Sequence, residues 1–134
     1  MNEAKKLEPF KKWEQLARDD LKMAELALVH GFYLQSMFHT QQMIEKCLKG
    51  LIILLKQEEP PCTHDLVKLY SKLSGQNFYQ EHLNVAFSGL NPFYIHVRYP
   101  TYKDKLSENF TKDTVESTIN FAKGVLKWVE QERK

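Results

Sequence analysis

Apolar residues recur along this chain at spacings of three and four, the period of a helix buried along one face. Phe10, Trp13, Ala17, Leu21, Ala24 and Leu28 form one such stripe and predict a first helix from about Glu8 to Val29. Pro9 suits its first turn, and Gly31 supplies a stop. A second stripe of Leu34, Met37, Ile44, Leu48, Leu51, Ile52 and Leu55 predicts a helix from about Phe32 to Gln57, ended by Pro60-Pro61. Leu66, Leu69, Tyr70 and Leu73 mark a shorter third helix, from about His64 to Leu73. Thr63 is its expected N-cap, and Asp65 in its first turn complements the helix dipole. Leu83, Ala86, Phe87, Leu90, Tyr94 and Val97 carry a fourth helix within Gln80 to Tyr99, which Gly89 and Pro92 can kink or split and Pro100 ends. The stretch Thr101 to Phe110 reads as a loop. Thr111 caps a fifth helix through Val115, Ile119, Ala122, Val125, Leu126 and Val129. No segment shows the alternation of a strand. The expected architecture is an all-α, five-helix, up-and-down antiparallel bundle with short connections.

Length and charge narrow this further. The 134 residues suit a single domain, 1–134 with a core of about 8–132, and can bury a core without staples. A net charge of +2 is too weak to indicate nucleic-acid binding by itself. Cys47 and Cys62 have neither metal-pair nor disulfide-framework spacing, so a reducing cytoplasm is the expected setting. Lys5, Lys6, Lys11 and Lys12 have no apolar run behind them, unlike a signal peptide, and the run Leu51 to Leu55 is far too short to cross a bilayer.

Polar residues on the stripes need a separate reason. At about 100° per residue, Asp20 falls inside the stripe of the first helix and Gln41 inside that of the second. Glu45 falls at the edge, and Lys46 and Lys49 point away. Folding the two helices back at His30-Gly31 brings Asp20 level with Gln41, so a carboxylate and an amide face each other. Such a pair can fix helix register. Alternatively, Asp20 orients a cation such as Arg98, which in turn serves a ligand.

Three polar signatures then come together. The run Phe38-His39-Thr40-Gln41-Gln42-Met43-Ile44-Glu45-Lys46-Cys47-Leu48-Lys49, with Trp13, Ala17, Asp20-Leu21, Ala24 and Gly31 to Tyr33 before it, resembles the second helix and lead-in of HEPN domains (higher eukaryotes and prokaryotes nucleotide-binding). Pro61-Cys62-Thr63-His64-Asp65-Leu66 is similar to that family's third-helix entrance, and Arg98-Tyr99-Pro100 to its signature at the end of the fourth helix. The resemblance spans about residues 10 to 130 and implies a five-helix bundle, usually homodimeric. Some members are metal-independent ribonucleases with an arginine followed four to six residues later by a histidine. Here Arg98 has no histidine after it, since His96 is the last in the chain, so the proton carrier of that chemistry is missing. Other members accompany a small nucleotidyltransferase in a toxin–antitoxin-like pair, binding nucleotide or serving as its partner and target. The resemblance favours this branch.

The expected function is therefore a non-catalytic module that binds nucleotide or RNA, or partners a minimal nucleotidyltransferase. No cofactor or metal is called for. The alternative is a divergent ribonuclease, acting as a homodimer, that uses His96 or His64 as its base. Arg98 is the first candidate: a guanidinium at a helix end can grip phosphate with two prongs. An internal salt bridge to Asp20 or Glu45 is the competing role. Tyr99 could stack on a base. His64, at a helix start, could join a phosphate site or serve only helix entrance. Lys46, with Lys49 and Lys56, forms a basic strip that either contacts phosphate or is a solvated face. Asp20, Gln41 and Glu45 stand behind these as supports. Cys62, His64 and His96 match no standard zinc ligand set. Tyr99 and Tyr102 fit a dimer interface better than a core.

Overall fold

The computed structural model describes residues 3–96 and 111–134, and these contain helices and turns but no strand. Helix α1 runs Glu3–Val29 and α2 runs Tyr33–Lys56. Then come α3 (Leu66–Ser71), a 3-10 turn (Glu81–Leu83), α4 (Asn84–Leu90), α5 (Pro92–His96) and α6 (Lys112–Glu132). The 3-10 turn, α4 and α5 are the expected fourth rod, broken where Pro92 interrupts it. The five-rod, all-helical bundle is the one its periodicity predicts.

Helix α1 starts before Glu8, and Pro9 lies inside it. Pro9 is the seventh residue of the helix and has no N–H to donate to the carbonyl four residues earlier, so one hydrogen bond of the second turn is missing. The α1–α2 hairpin turns at Gly31, whose φ of +79° is the left-handed conformation that favours glycine. Ser36 Oγ then donates to the Ala24 carbonyl at 2.7 Å, tying the two helices just beyond the turn. Further along, Gly50 lets α1 approach closely. A Cβ placed there would lie 3.3 Å from Trp13 Cβ and 3.4 Å from the Phe10 ring.

Helix α2 is the axis of the molecule, packed by α1, α3, α5 and α6. The core follows the expected stripes: Phe10, Ala17, Ala24, Ile44, Leu48, Leu51, Ile52, Leu66, Phe87, Val115, Ile119 and Val129 are all buried. An aromatic stack of Tyr70, Tyr79, Phe78 and Trp128 fills the end formed by α3 and α6. Glu14 pairs with Arg18 one turn along α1 at 3.1 Å and, across the bundle, with Arg133 just past α6 at 3.5 Å.

The third helix departs from expectation. It starts at Leu66, and its N-cap is Asp65 rather than Thr63. Asp65 Oδ1 accepts from the Val67 and Lys68 amides, and Thr63 Oγ1 instead accepts the Asp65 amide at 3.2 Å. The carboxylate side chain, placed directly before the apolar run, wins the cap. His64 therefore precedes the helix. The expected end of the fourth helix, the signature Arg98-Tyr99-Pro100, Tyr102 and the loop Thr101 to Phe110 lie outside the described residues.

Candidate functional site

Two buried carboxylates organise the polar residues of α2. Asp20, from α1, accepts from His39 Nδ1 at 2.9 Å and pairs with the Lys46 ammonium. Glu45, one turn further along α2 than Gln41, accepts from His64 Nδ1 at 2.9 Å and from Lys49 Nζ at 3.1 Å. Each carboxylate thus bridges one histidine and one lysine. An ionised carboxylate only accepts, so Nδ1 carries the proton in both histidines and Nε2 is the remaining ring nitrogen. Lys49 also lies 5.5 Å from the centre of the Trp13 ring.

These pairings correct the helical-wheel reading. Asp20 bonds His39 and Lys46, whereas buried Gln41 donates to the His64 carbonyl at 3.0 Å and accepts from Gln42 at 2.7 Å. Lys46 and Lys49 do not point away: Lys49 is buried, and Lys46 is only 21% exposed at its side chain. A helix with neighbours on four sides has little solvent face, so its lysines bend inward to the nearest carboxylates. Lys46, expected to meet phosphate, already has Asp20 as its counter-ion.

The segment leading into α3 is pinned from both sides. Gln41 holds the His64 backbone, and Asn91, between α4 and α5, donates to Asp65 Oδ1 and accepts the Leu66 amide, each at 2.9 Å. That places the His64 ring flat against Tyr94 of α5, centroids 3.6 Å apart and planes 17° from parallel. His64, Asp65, Asn91 and Tyr94 line a cleft of about 330 Å³. The His64 side chain is 47% exposed, while the Glu45 behind it is 4% exposed. The result is an imidazole held rigidly by a buried acid and presented at an aromatic-walled cleft.

Of the residues singled out in the sequence, the fold puts His64 at this cleft, with buried Glu45 and Gln41 behind it holding its ring and backbone, and groups Asp20 with Lys46 nearer the α1–α2 turn. Arg98 and Tyr99 lie outside the described residues. Three contributors escape the sequence reading. Periodicity assigns Tyr94 wholly to the core. Asn91 draws no notice, although Asn before Pro92 is a turn signal. His39 sits two helical turns before Lys46 and so shares its side of α2, a spacing that could have linked them to Asp20. Cys47, also on α2, is a buried thiol whose pKa desolvation pushes up to about 12, making it an inert core residue. Among the described residues no three His, Cys, Asp or Glu side chains converge as a metal set. No helix among them is long and apolar enough to cross a membrane.

The sequence model of the HEPN domain matches residues 10–132, and the chain belongs to that family. Its fold is similar to the crystal structure of TT1696 from Thermus thermophilus, at 28% identity and a TM-score of 0.76, covering 92% of this chain and 97% of that one. It is similar also to ST0689, an archaeal HEPN homologue, at 26% identity and a TM-score of 0.69, covering 93% and 98%. No curated protein matches the chain.

Proposed function

We propose that this HEPN-domain protein is a non-catalytic module that binds nucleotide or RNA at the cleft of His64 and Tyr94, with Arg98 supplying the phosphate cation. The observation that carries this reading is the Glu45–His64–Tyr94 arrangement. Glu45 neutralises buried Lys49, a task that does not call for a half-exposed histidine on its other oxygen. It also fixes an imidazole so that one nitrogen remains for a ligand, and the charged form of that ring suits a phosphate. The neighbouring aromatic wall suits a base, which stacks regardless of its identity. Arg98 follows Tyr94 by four residues in the sequence, and Tyr99 by five. A minimal nucleotidyltransferase chain is a compatible partner for such a module.

One specific feature favours a second reading. A histidine oriented by an acid is also the start of a general base, so His64 could serve a divergent ribonuclease. The same experiment separates the two. Labelled ATP and a short single-stranded RNA are titrated against wild type and against His64→Ala, Tyr94→Ala and Arg98→Ala, with circular dichroism to verify folding. Saturable binding, intact RNA and loss of binding in folded variants support the module. RNA cleavage that disappears in His64→Ala moves the protein to the enzyme reading. Absence of binding to either probe in wild type refutes the ligand site.

A further inference from the structure

The α1–α2 hairpin holds a second carboxylate–histidine pair that the His64 cleft does not use. Asp20 Oδ1 accepts from His39 Nδ1 at 2.9 Å, while its other oxygen holds the Lys46 ammonium. Phe38 meets the same imidazole edge-on, with ring centroids 5.2 Å apart. The ring is fixed, and Nε2 is its uncommitted nitrogen. His39 stands in the wall of a separate cleft of about 300 Å³, which shares no lining residue with the cleft of His64. Met23, Leu26 and Phe32 form the apolar part of that wall and are 48%, 55% and 59% exposed, outside the core. His30 and Gln35 complete it, and neither side chain has a hydrogen-bond partner among the described residues. An apolar cleft with a few polar groups in its wall is the usual form of a small-molecule site.

The charges around the cleft identify the ligand. Its wall holds two imidazoles and an amide but no carboxylate, so nothing in it would neutralise a cationic ligand. Asp20, behind the wall, is already shared by His39 and Lys46. We infer that the α1–α2 cleft binds a small aromatic carboxylic acid, its carboxylate on His39 Nε2 and its ring against Phe32 and Met23. The proton of the acid passes to Nε2, and the imidazolium then lies between the Asp20 carboxylate and that of the ligand. Two cations, His39 and Lys46, face two carboxylates, so the cluster stays neutral where solvent reaches only partly, the His39 side chain being 25% exposed. The Phe32 ring and the Met23 thioether suit an aromatic body.

The test is isothermal titration calorimetry of the full chain with 2-naphthoate, its methyl ester and 2-naphthylmethylamine, which carry an acidic, a neutral and a cationic group on one ring system. 2-Naphthoate is expected to bind saturably and about tenfold tighter than either analogue, since only the acid makes a charge-assisted hydrogen bond. His39→Phe keeps an aromatic ring and leaves Asp20 paired with Lys46. It should weaken naphthoate by about tenfold and erase its advantage over the ester. Met23→Glu puts a like charge in the wall, and Phe32→Ala removes the stacking face. Both side chains are exposed, so helix content by circular dichroism should not change, and each variant should weaken naphthoate by about fivefold. His64→Ala should leave naphthoate binding as it is. Absence of saturable binding in wild type, whether the cleft is empty or covered by a second copy of the chain, would overturn the proposal. So would equal affinity for acid and ester, binding indifferent to both His39→Phe and Met23→Glu, or loss of binding in His64→Ala.

Discussion

Replacing Glu45 by glutamine tests the buried polar axis directly. The change keeps volume and shape and removes one charge. In wild type the carboxylate accepts from Lys49 at 3.1 Å and from His64 at 2.9 Å, with side-chain exposures of 4% for Glu45 and 9% for Lys49. Solvent cannot screen the Lys49 pair, so its loss belongs with broken buried pairs, which cost about 3–5 kcal/mol. The lysine retains the Trp13 ring and a flexible stem, which places the cost near the lower limit, about 3 kcal/mol. The His64 bond is half-solvated and adds about 1 kcal/mol at most. Glu45→Gln should therefore lose about 3–4 kcal/mol in urea unfolding at neutral pH, read as a lower midpoint at unchanged m-value. Lys49→Met in the Glu45→Gln background should recover about 2 kcal/mol, because the orphaned ammonium is what makes the single variant costly. A loss under about 1 kcal/mol, with no recovery in the double variant, would show that the carboxylate is not the counter-ion of a buried lysine.

Other expectations follow from single features. Burial holds the Cys47 thiol neutral up to about pH 12, whereas in the unfolded chain it ionises from its ordinary value of 9.0. Its contribution is fully present below pH 9 and is lost as pH rises toward 12, so unfolding free energy should fall there by about 1.4 kcal/mol per pH unit; Tyr70, whose pKa burial also raises, steepens the fall above 10. Iodoacetamide at about pH 8 should label exposed Cys62 and spare Cys47 until the protein is unfolded, a difference read by mass spectrometry. Asp65→Ala removes the α3 cap and the anchor of Asn91 and should cost about 2 kcal/mol in thermal unfolding, with Asp65→Asn recovering part of it. Gly31→Ala forces a Cβ into a left-handed conformation and should cost about 1 kcal/mol, although nothing lies near that Cβ.

The helices and their buried faces were legible because apolar period and secondary structure are the same local fact. Phe10 to Leu28 and Leu34 to Leu55 each mark a stripe, and the bundle buries most of both. Thr111 as a cap was legible for the same reason, since its hydroxyl accepts from the Thr114 amide three residues away. The Thr63 assignment failed because two capping residues stand within three positions and only one can occupy the boundary.

What the sequence by itself determined is the bundle, the presence of polar groups on its stripes and, through its motifs, the HEPN family. Only the tertiary structure decided which groups meet. His39 reaches Asp20 across the hairpin, and His64 reaches Glu45 across a loop and a helix. Lys46 and Lys49 turn inward because α2 is enclosed by its neighbours. A helical wheel gives the direction of a side chain relative to its own axis. It carries no information on how many neighbours surround that axis, and burial and charge pairing are set by those neighbours.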